Sequence, residues 1–260
     1  MDTIVDTHCH AGLEKYEPIE ALIDQMFRNR VTGAVLVQHL GQYDNRYLIE
    51  CAQRFPGKLA IVALVDVADE NAPAQLAAWA AHPFVRGVRL SASERSPGRN
   101  PWAIWEKAEE LGLSVSFHGL AADYAVDASY QLASRFRQCR FVIEHLGRPD
   151  LAAGTQGRAF QQVLKFADLP HVSIKLSGFH VYSPVKQTRY PEFMPFVRAA
   201  LDAFGPERCM WGSNYPPVSS AEGFHNTLSQ ARDDWPWRDE RERRLVLGET
   251  AAVHYRLPAH

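Results

Sequence analysis

Eight short apolar runs, rich in β-branched residues, recur at intervals of about 30 residues, the span of one strand, one helix and two loops. They lie at 4–6, 34–37, 59–65, 85–90, 113–117, 141–143, 172–176 and 209–211. The segments between them carry helical periodicity, at 18–30, 45–55, 74–81, 100–111, 125–136, 158–166, 191–204 and 223–231, with a last one at 240–255. Gly112 and the pair Gly205-Pro206 sit where helices should stop. No linker or composition shift divides the 260 residues. A closed (β/α)8 barrel of about 250 residues would use the whole chain, so residues 1–260 are expected to form a single α/β barrel domain. The alternative is an open doubly wound sheet, which would bind ligands at a topological switch point.

Charge and composition narrow the function. The formal net charge is −2 with no Lys/Arg block, so neither nucleic acid nor an anionic membrane is an expected partner. The alternating charges at 238–244 read as a solvated helical face. Four scattered cysteines without a CxxC pair point to free thiols in a reducing compartment. The chain opens directly on a strand without a basic and apolar leader, and no apolar run is long enough to cross a bilayer, so a cytoplasmic protein is expected. The sequence has no phosphate loop, no GxGxxG and no GxSxG elbow, which argues against ATP, nicotinamide and serine esterase chemistry.

Alternation along a strand sorts side chains by face. In the first strand Ile4, Asp6, His8 and His10 fall together and are expected inside the barrel, opposite Val5, Thr7 and Cys9. Ser114, Ser116 and His118 share the inner face of the fifth strand, and Ser173, Lys175 and Ser177 that of the seventh. The same rule places Glu144 beside Val142 and, on the premise that apolar residues face the helices, outward. Trp211 is also expected outward, and Trp102 and Trp105 are expected to pack. Trp235-Pro-Trp237 is expected as an exterior patch suited to a homo-oligomer contact.

The chemistry-bearing residues gather at C-terminal strand ends, the face that carries barrel active sites. Asp6-Thr-His8-Cys-His10 puts two imidazoles at i and i+2, able to converge on one metal ion or one substrate oxygen. His118 ends the fifth strand and His145 the sixth. One strand-end histidine is an ordinary structural feature, but four on one face are hard to assign to packing. Arg89, Arg148 and Lys175 lie at or near strand ends and suit an anionic small-molecule substrate, since Arg holds a carboxylate bidentately. They could instead pair with barrel carboxylates. Gln38 and His39 are placed at the mouth, and His180 in a loop with Tyr182 and Tyr190. His82, His171, His225, His254 and His260 read as surface or structural residues.

Taken in order, Asp6-Thr-His8-Cys-His10, Gly87-Val-Arg89, His118-Gly, His145-Leu-Gly-Arg148-Pro, Lys175-Leu-Ser-Gly178, Trp211-Gly-Ser-Asn214-Tyr-Pro216 and Leu247-Gly-Glu249-Thr250-Ala resemble the amidohydrolase superfamily, in the branch often labelled amidohydrolase family 2. That branch includes sugar lactonases, 2-pyrone-4,6-dicarboxylate lactonase, lactone isomerases and, more distantly, metal-dependent decarboxylases. The resemblance implies a hydrolase with His8, His10, His118, His145 and Asn214 as catalytic residues, and with His8, His10 and His145 as metal ligands where a metal is bound. The superfamily usually has an aspartate where this chain has Asn214. An amide cannot take up a proton at neutral pH, and its lack of charge weakens a divalent site. Two cofactor states therefore stay open, no metal or one divalent ion, with zinc the first choice.

The expected function is opening of a lactone or related cyclic ester of a carboxylated small molecule. His8, His10 and His145 would polarise the carbonyl, His118 or His145 would move the proton, and Arg89, Arg148 and Lys175 would hold the substrate. The alternatives are a metal-dependent decarboxylase or amide-bond hydrolase on the same barrel, and a non-catalytic ligand-binding relative.

Overall fold

The computed structural model of the protein describes residues 2–258; His260 lies outside them. Eight strands form one parallel sheet in chain order: β1 (Val5–Cys9), β2 (Gly33–Val37), β3 (Leu59–Ala63), β4 (Val85–Ser91), β5 (Ser114–His118), β6 (Arg140–Ile143), β7 (Val172–Leu176) and β8 (Cys209–Trp211). The ring closes just past β8, where Cys9 bridges in parallel to Tyr215. There His10 N donates to Tyr215 O at 2.8 Å and Asn214 N to His8 O at 2.7 Å. This is a (β/α)8 barrel, as the alternation of apolar runs and helical segments implies.

The larger helices follow the strands: α1 (Ile19–Asn29), α2 (Arg46–Arg54), α3 (Ala72–Ala80) and α4 (Ala103–Glu110), then α5 (Ala121–Tyr124) and α6 (Asp127–Arg135), α7 (Arg158–Lys165), α8 (Phe179–Tyr182), α9 (Met194–Phe204), α10 (Gly223–Asp233), α11 (Glu240–Arg244) and α12 (Thr250–Tyr255). The four-residue helices α5 and α8 fall in βα loops, where too few residues are present to show periodicity. The 240–255 segment, read as one helix, is interrupted by a π-helical stretch at Leu245–Glu249. Gly248 in that stretch lies so close to the chain entering β1 that a Cβ would sit 1.9 Å from Thr3 O. The widened turn and the missing side chain together let the last helix lie directly under the barrel.

Two apolar clusters stand on either side of the sheet. The outer one joins strand residues such as Leu36, Ile61, Val115, Phe141 and Ile174 to the surrounding helices. Trp105 stacks there on Phe141 and Phe136, and Trp211 meets Phe224 of α10, both as expected of packing residues. The inner one, Val5, Val35, Val37, Ala60, Val62, Val142 and Met210, fills the barrel floor and is sealed by Ala251, Ala252 and Tyr255 of α12.

That inner cluster corrects two expectations. Val142 faces the barrel axis, so Glu144, which shares its face, points inward too. Parity was sound, but apolar character was the wrong guide to which face is outer. At the entry to β1, Ile4, just before the strand, belongs to the outer cluster and Val5 to the inner one. The register against β2 then shifts, with Asp6 to Cys9 opposite Ala34 to Leu36. This extra residue, a bulge, restores His8 to the inside without Ile4 sharing its face. A third correction concerns Trp235, which is buried and packs on Phe179 at 5.8 Å instead of forming an exterior patch. The four cysteines are free and buried. Among the described residues no helix is long and apolar enough to cross a membrane.

Candidate active site

The barrel mouth is organised around Glu144. Arg89 Nε donates to Oε1 at 2.9 Å and Arg89 Nη2 to Oε2 at 2.7 Å, a bidentate pair. Ser116 Oγ donates to Oε1 at 2.7 Å, and His118 Nδ1 lies 3.0 Å from Oε2. Burial alone would raise the Glu144 carboxyl. Arg89 and the His118 contact outweigh it and hold the group well below the usual carboxylate range. Lys175 Nζ reaches Ser116 Oγ at 3.3 Å, and burial pulls its pKa down to about 8.

His118 Nδ1 is also 3.1 Å from Arg89 Nη2 and from Arg148 Nη2. Guanidinium groups only donate and a carboxylate only accepts. The contacts exclude each other: Arg89 Nη2 already has Glu144 Oε2, and with a proton on His118 Nδ1 directed at Glu144 the lone pair lies on Nε2, while Arg148 Nη2, a donor, is left without a bond to His118. A half-buried imidazole backed by a carboxylate results, the usual arrangement for orienting a base.

Next to this cluster stand His8 and His145, their rings 4.3 Å apart, with His10 edge-on to His8 at 5.0 Å. Both ring nitrogens of His8 are buried without a hydrogen-bond partner, an arrangement disfavoured unless something else engages them. His145 Nδ1 lies 3.0 Å from Ser177 Oγ. Burial, reinforced by the neighbouring His145 and by Lys175, pushes His8 well below its ordinary value. It does the same to His145 against the pull of Glu144, so both imidazoles are held toward the neutral form. His10 is driven to about 3 by burial and Arg89, with its Nδ1 2.7 Å from Val37 O. Tyr16 stacks on His10 at 4.9 Å.

Local backbone geometry aims these groups. His145, Leu146, Gly147 and Arg148 all have φ between 53° and 66°, a left-handed run that costs about 1 kcal/mol or more for each non-glycine residue. It is tied by Gly147 N to Glu144 O at 3.0 Å and Arg148 N to His145 O at 2.8 Å. The turn brings Glu144, His145 and Arg148 to one place, which regular alternation could not do. Gly178 makes room for it: a Cβ there would sit 2.7 Å from His145 Nδ1. Asp6 anchors the β1–β8 seam, with Ser213 N donating to Oδ1 at 2.8 Å and Ser213 Oγ to Oδ2 at 2.5 Å. Burial raises its pKa to about 6.

The structure thus brings His8, His10, His118, His145, Arg89 and Arg148 together at the mouth. Lys175 lies fully buried below them. Asn214 sits across the seam with Nδ2 3.2 Å from His180 Nε2. Sequence reasoning did not give Glu144, Ser116 or Ser177 a part in the site, nor foresee that Glu222 stands 3.4 Å behind His180. The signal for Glu144 was its position between β6 and His145; for Glu222, at the start of α10, there was none.

His8, Glu144 and His145 can each place a ligand atom within 4.8 Å of the other two. His8 and His145, held toward the neutral form and with the His8 nitrogens unpartnered, suit a divalent ion, whereas the acceptor sites of Glu144 are already taken by Arg89, Ser116 and His118. His10 is not in that group.

The chain matches the amidohydrolase family profile over residues 5–257. It is similar to an L-fucono-1,5-lactonase of Burkholderia ambifaria, at 30% identity over 95% of this chain and 85% of that protein. A 2-pyrone-4,6-dicarboxylate hydrolase of Comamonas testosteroni is 27% identical over 82% of this chain and 76% of its own. Among solved structures, a candidate 2-pyrone-4,6-dicarboxylic acid hydrolase from Pseudomonas putida superposes with a TM-score of 0.81 at 27% identity, covering 100% of both chains.

Proposed function

Because this chain belongs to the amidohydrolase family, we propose that its site hydrolyses the ester bond of a small lactone bearing a carboxylate. The observation that carries this reading is the juxtaposition at one barrel mouth of two buried histidines, His8 and His145, with a carboxylate-backed His118 and Arg148. The lactonase and lactone hydrolase named among its relatives support the same reading.

Arg148 is the group that receives the substrate carboxylate. Its Nε is buried without a partner and its guanidinium lies 5.5 Å over the Tyr182 ring, whereas two N–H groups of Arg89 are held by Glu144. His118, its Nδ1–H directed at Glu144, takes a proton from the attacking water on Nε2. The water oxygen bonds to the carbonyl carbon, and the ring C–O bond breaks. The same proton returns to the leaving alkoxide, giving a hydroxy acid. His8 and His145 face the oxygen on which charge develops. Asn214 holds the water or a substrate hydroxyl as a hydrogen-bond partner. The buried Lys175 adds positive charge beneath the anion.

His8 and His145, with His10 beside them, would hold a divalent ion, zinc first. Such an ion would supply Lewis-acid polarisation of the ester carbonyl. Metal analysis of the purified protein, paired with a pH-indicator assay of carboxylated lactones with and without chelator, tests the reading. Proton release from at least one lactone is the expected result. Ligand-induced thermal stabilisation without turnover across the whole panel would point instead to a binding protein. Stoichiometric metal with chelator-sensitive turnover would add the ion to the site.

A further inference from the structure

Asn214 is fixed at every point but one. Its backbone is left-handed, at φ 60°, a region asparagine tolerates, and its N–H is held by His8 O at 2.7 Å. What stays open is which end of the amide faces the reaction, the oxygen that accepts or the nitrogen that donates.

On the other side of the amide is a buried row of polar groups. Asn214 Nδ2 is 3.2 Å from His180 Nε2 and Tyr190 OH donates to Glu222 Oε2 at 3.0 Å. His180 Nδ1 faces Glu222 Oε1 at 3.4 Å, an ion-pair distance, and is buried without a formed hydrogen bond. His180 is 4% and Glu222 5% exposed. No step of the hydrolysis uses them directly.

We infer that Glu222, acting through His180, sets the orientation of the Asn214 amide and so presents its oxygen to the reaction site. The logic is one of donors and acceptors. Glu222 Oε2 accepts from Tyr190, and Oε1 is the acceptor that faces His180, so the unpartnered Nδ1 is the nitrogen that carries the proton. An imidazole with its one proton on Nδ1 has its lone pair on Nε2. Only the NH2 end of Asn214 can meet that lone pair, which turns Oδ1 the other way as an acceptor for water or a substrate hydroxyl. Tyr190 holds the far carboxylate oxygen and keeps Glu222 in register. Glu222 and His180 are positioning residues in this account, and their role in turnover rests on the lactone hydrolysis proposed above.

The tautomer can be read without any substrate. In protein labelled with 15N-histidine, with His180→Asn used to assign the signal, two-bond spectra should show His180 neutral and protonated on Nδ1. A proton on Nε2, or an imidazolium, near neutral pH would overturn the inference. Kinetics supply a second arm. In Glu222→Gln, Tyr190 keeps the amide oxygen and the NH2 turns to His180 Nδ1, reversing the relay and presenting Asn214 Nδ2 to the site. A fall in kcat of about 10²-fold with KM little changed is expected, the size typical of losing one preorganised polar contact. Asn214→Asp in that background should restore most of the loss, because aspartate offers an oxygen to each side. Undiminished kcat in Glu222→Gln, or a loss that Asn214→Asp does not repair, would contradict the role. If Glu222→Gln does not fold, the tautomer decides alone. If the wild type opens no lactone, the hydrolase reading fails while the tautomer still decides the orientation.

Discussion

The guanidinium of Arg89 closes on the carboxylate of Glu144 through two hydrogen bonds, at 2.9 and 2.7 Å, with the two side chains 7% and 0% exposed. Such a pair is costly to bury and costlier to break. Glu144→Gln would leave Arg89 uncompensated and release His118, so it is expected to lose about 3–5 kcal/mol of stability. Turnover should fall as well. Urea unfolding followed by circular dichroism measures the first effect, and unchanged stability would mean Arg89 finds another partner.

His118 is half-buried at the mouth, and the Arg89–Glu144 pair keeps both its hydrogen bonds without it, so its replacement separates chemistry from folding. His118→Ala should keep the wild-type melting temperature within a few degrees and lower kcat by about 10²–10⁴-fold, the usual worth of a general base. A variant with full kcat would remove His118 from the proton path.

Arg148 is expected to act on substrate charge. Arg148→Met should raise KM for a carboxylated lactone by about 10- to 100-fold, as for loss of charge-assisted hydrogen bonds. KM for an uncharged lactone of the same ring should hardly move. Equal effects on both substrates would mean Arg148 shapes the pocket without reading the carboxylate.

His254 gives a pH dependence remote from the mouth. Burial, with Arg140 nearby, pushes it down to about 3, and its Nε2 lies 2.8 Å from Ser114 Oγ. It is therefore neutral in the fold but takes up a proton in the unfolded chain below its ordinary value of about 6.5. Its full contribution is present above pH 6.5 and is lost as pH falls toward 3. Relative to His254→Gln, the wild type should lose up to about 1.4 kcal/mol per pH unit below that point. Parallel stability curves for the two proteins between pH 7 and 5 would contradict this.

The barrel and the histidines of its mouth were legible because both depend on short-range pattern: apolar runs that recur, and His8, His118 and His145 within two residues of their ends. What could not be read was set by distant parts of the chain. Glu144 seemed to face outward because the inner valines of the floor, Val35, Val62 and Val142, have no counterpart in a local pattern. The bulge in β1 shifts phase without any glycine or proline to mark it. The left-handed run from His145 to Arg148 includes one glycine only, too weak a sign of a four-residue reversal. Glu222 meets His180 across 42 positions of sequence, the difference of their numbers. Only the packing of α10 against the barrel brings them together.

The most direct test of the account is the fate of a carboxylated lactone turned over in 18O-labelled water by wild type and by His8→Ala. The account predicts a hydroxy acid that retains every carbon and gains one 18O in its new carboxylate, with His8→Ala folded and almost inactive. Loss of carbon dioxide, label in the alcohol, or full turnover by His8→Ala would contradict it.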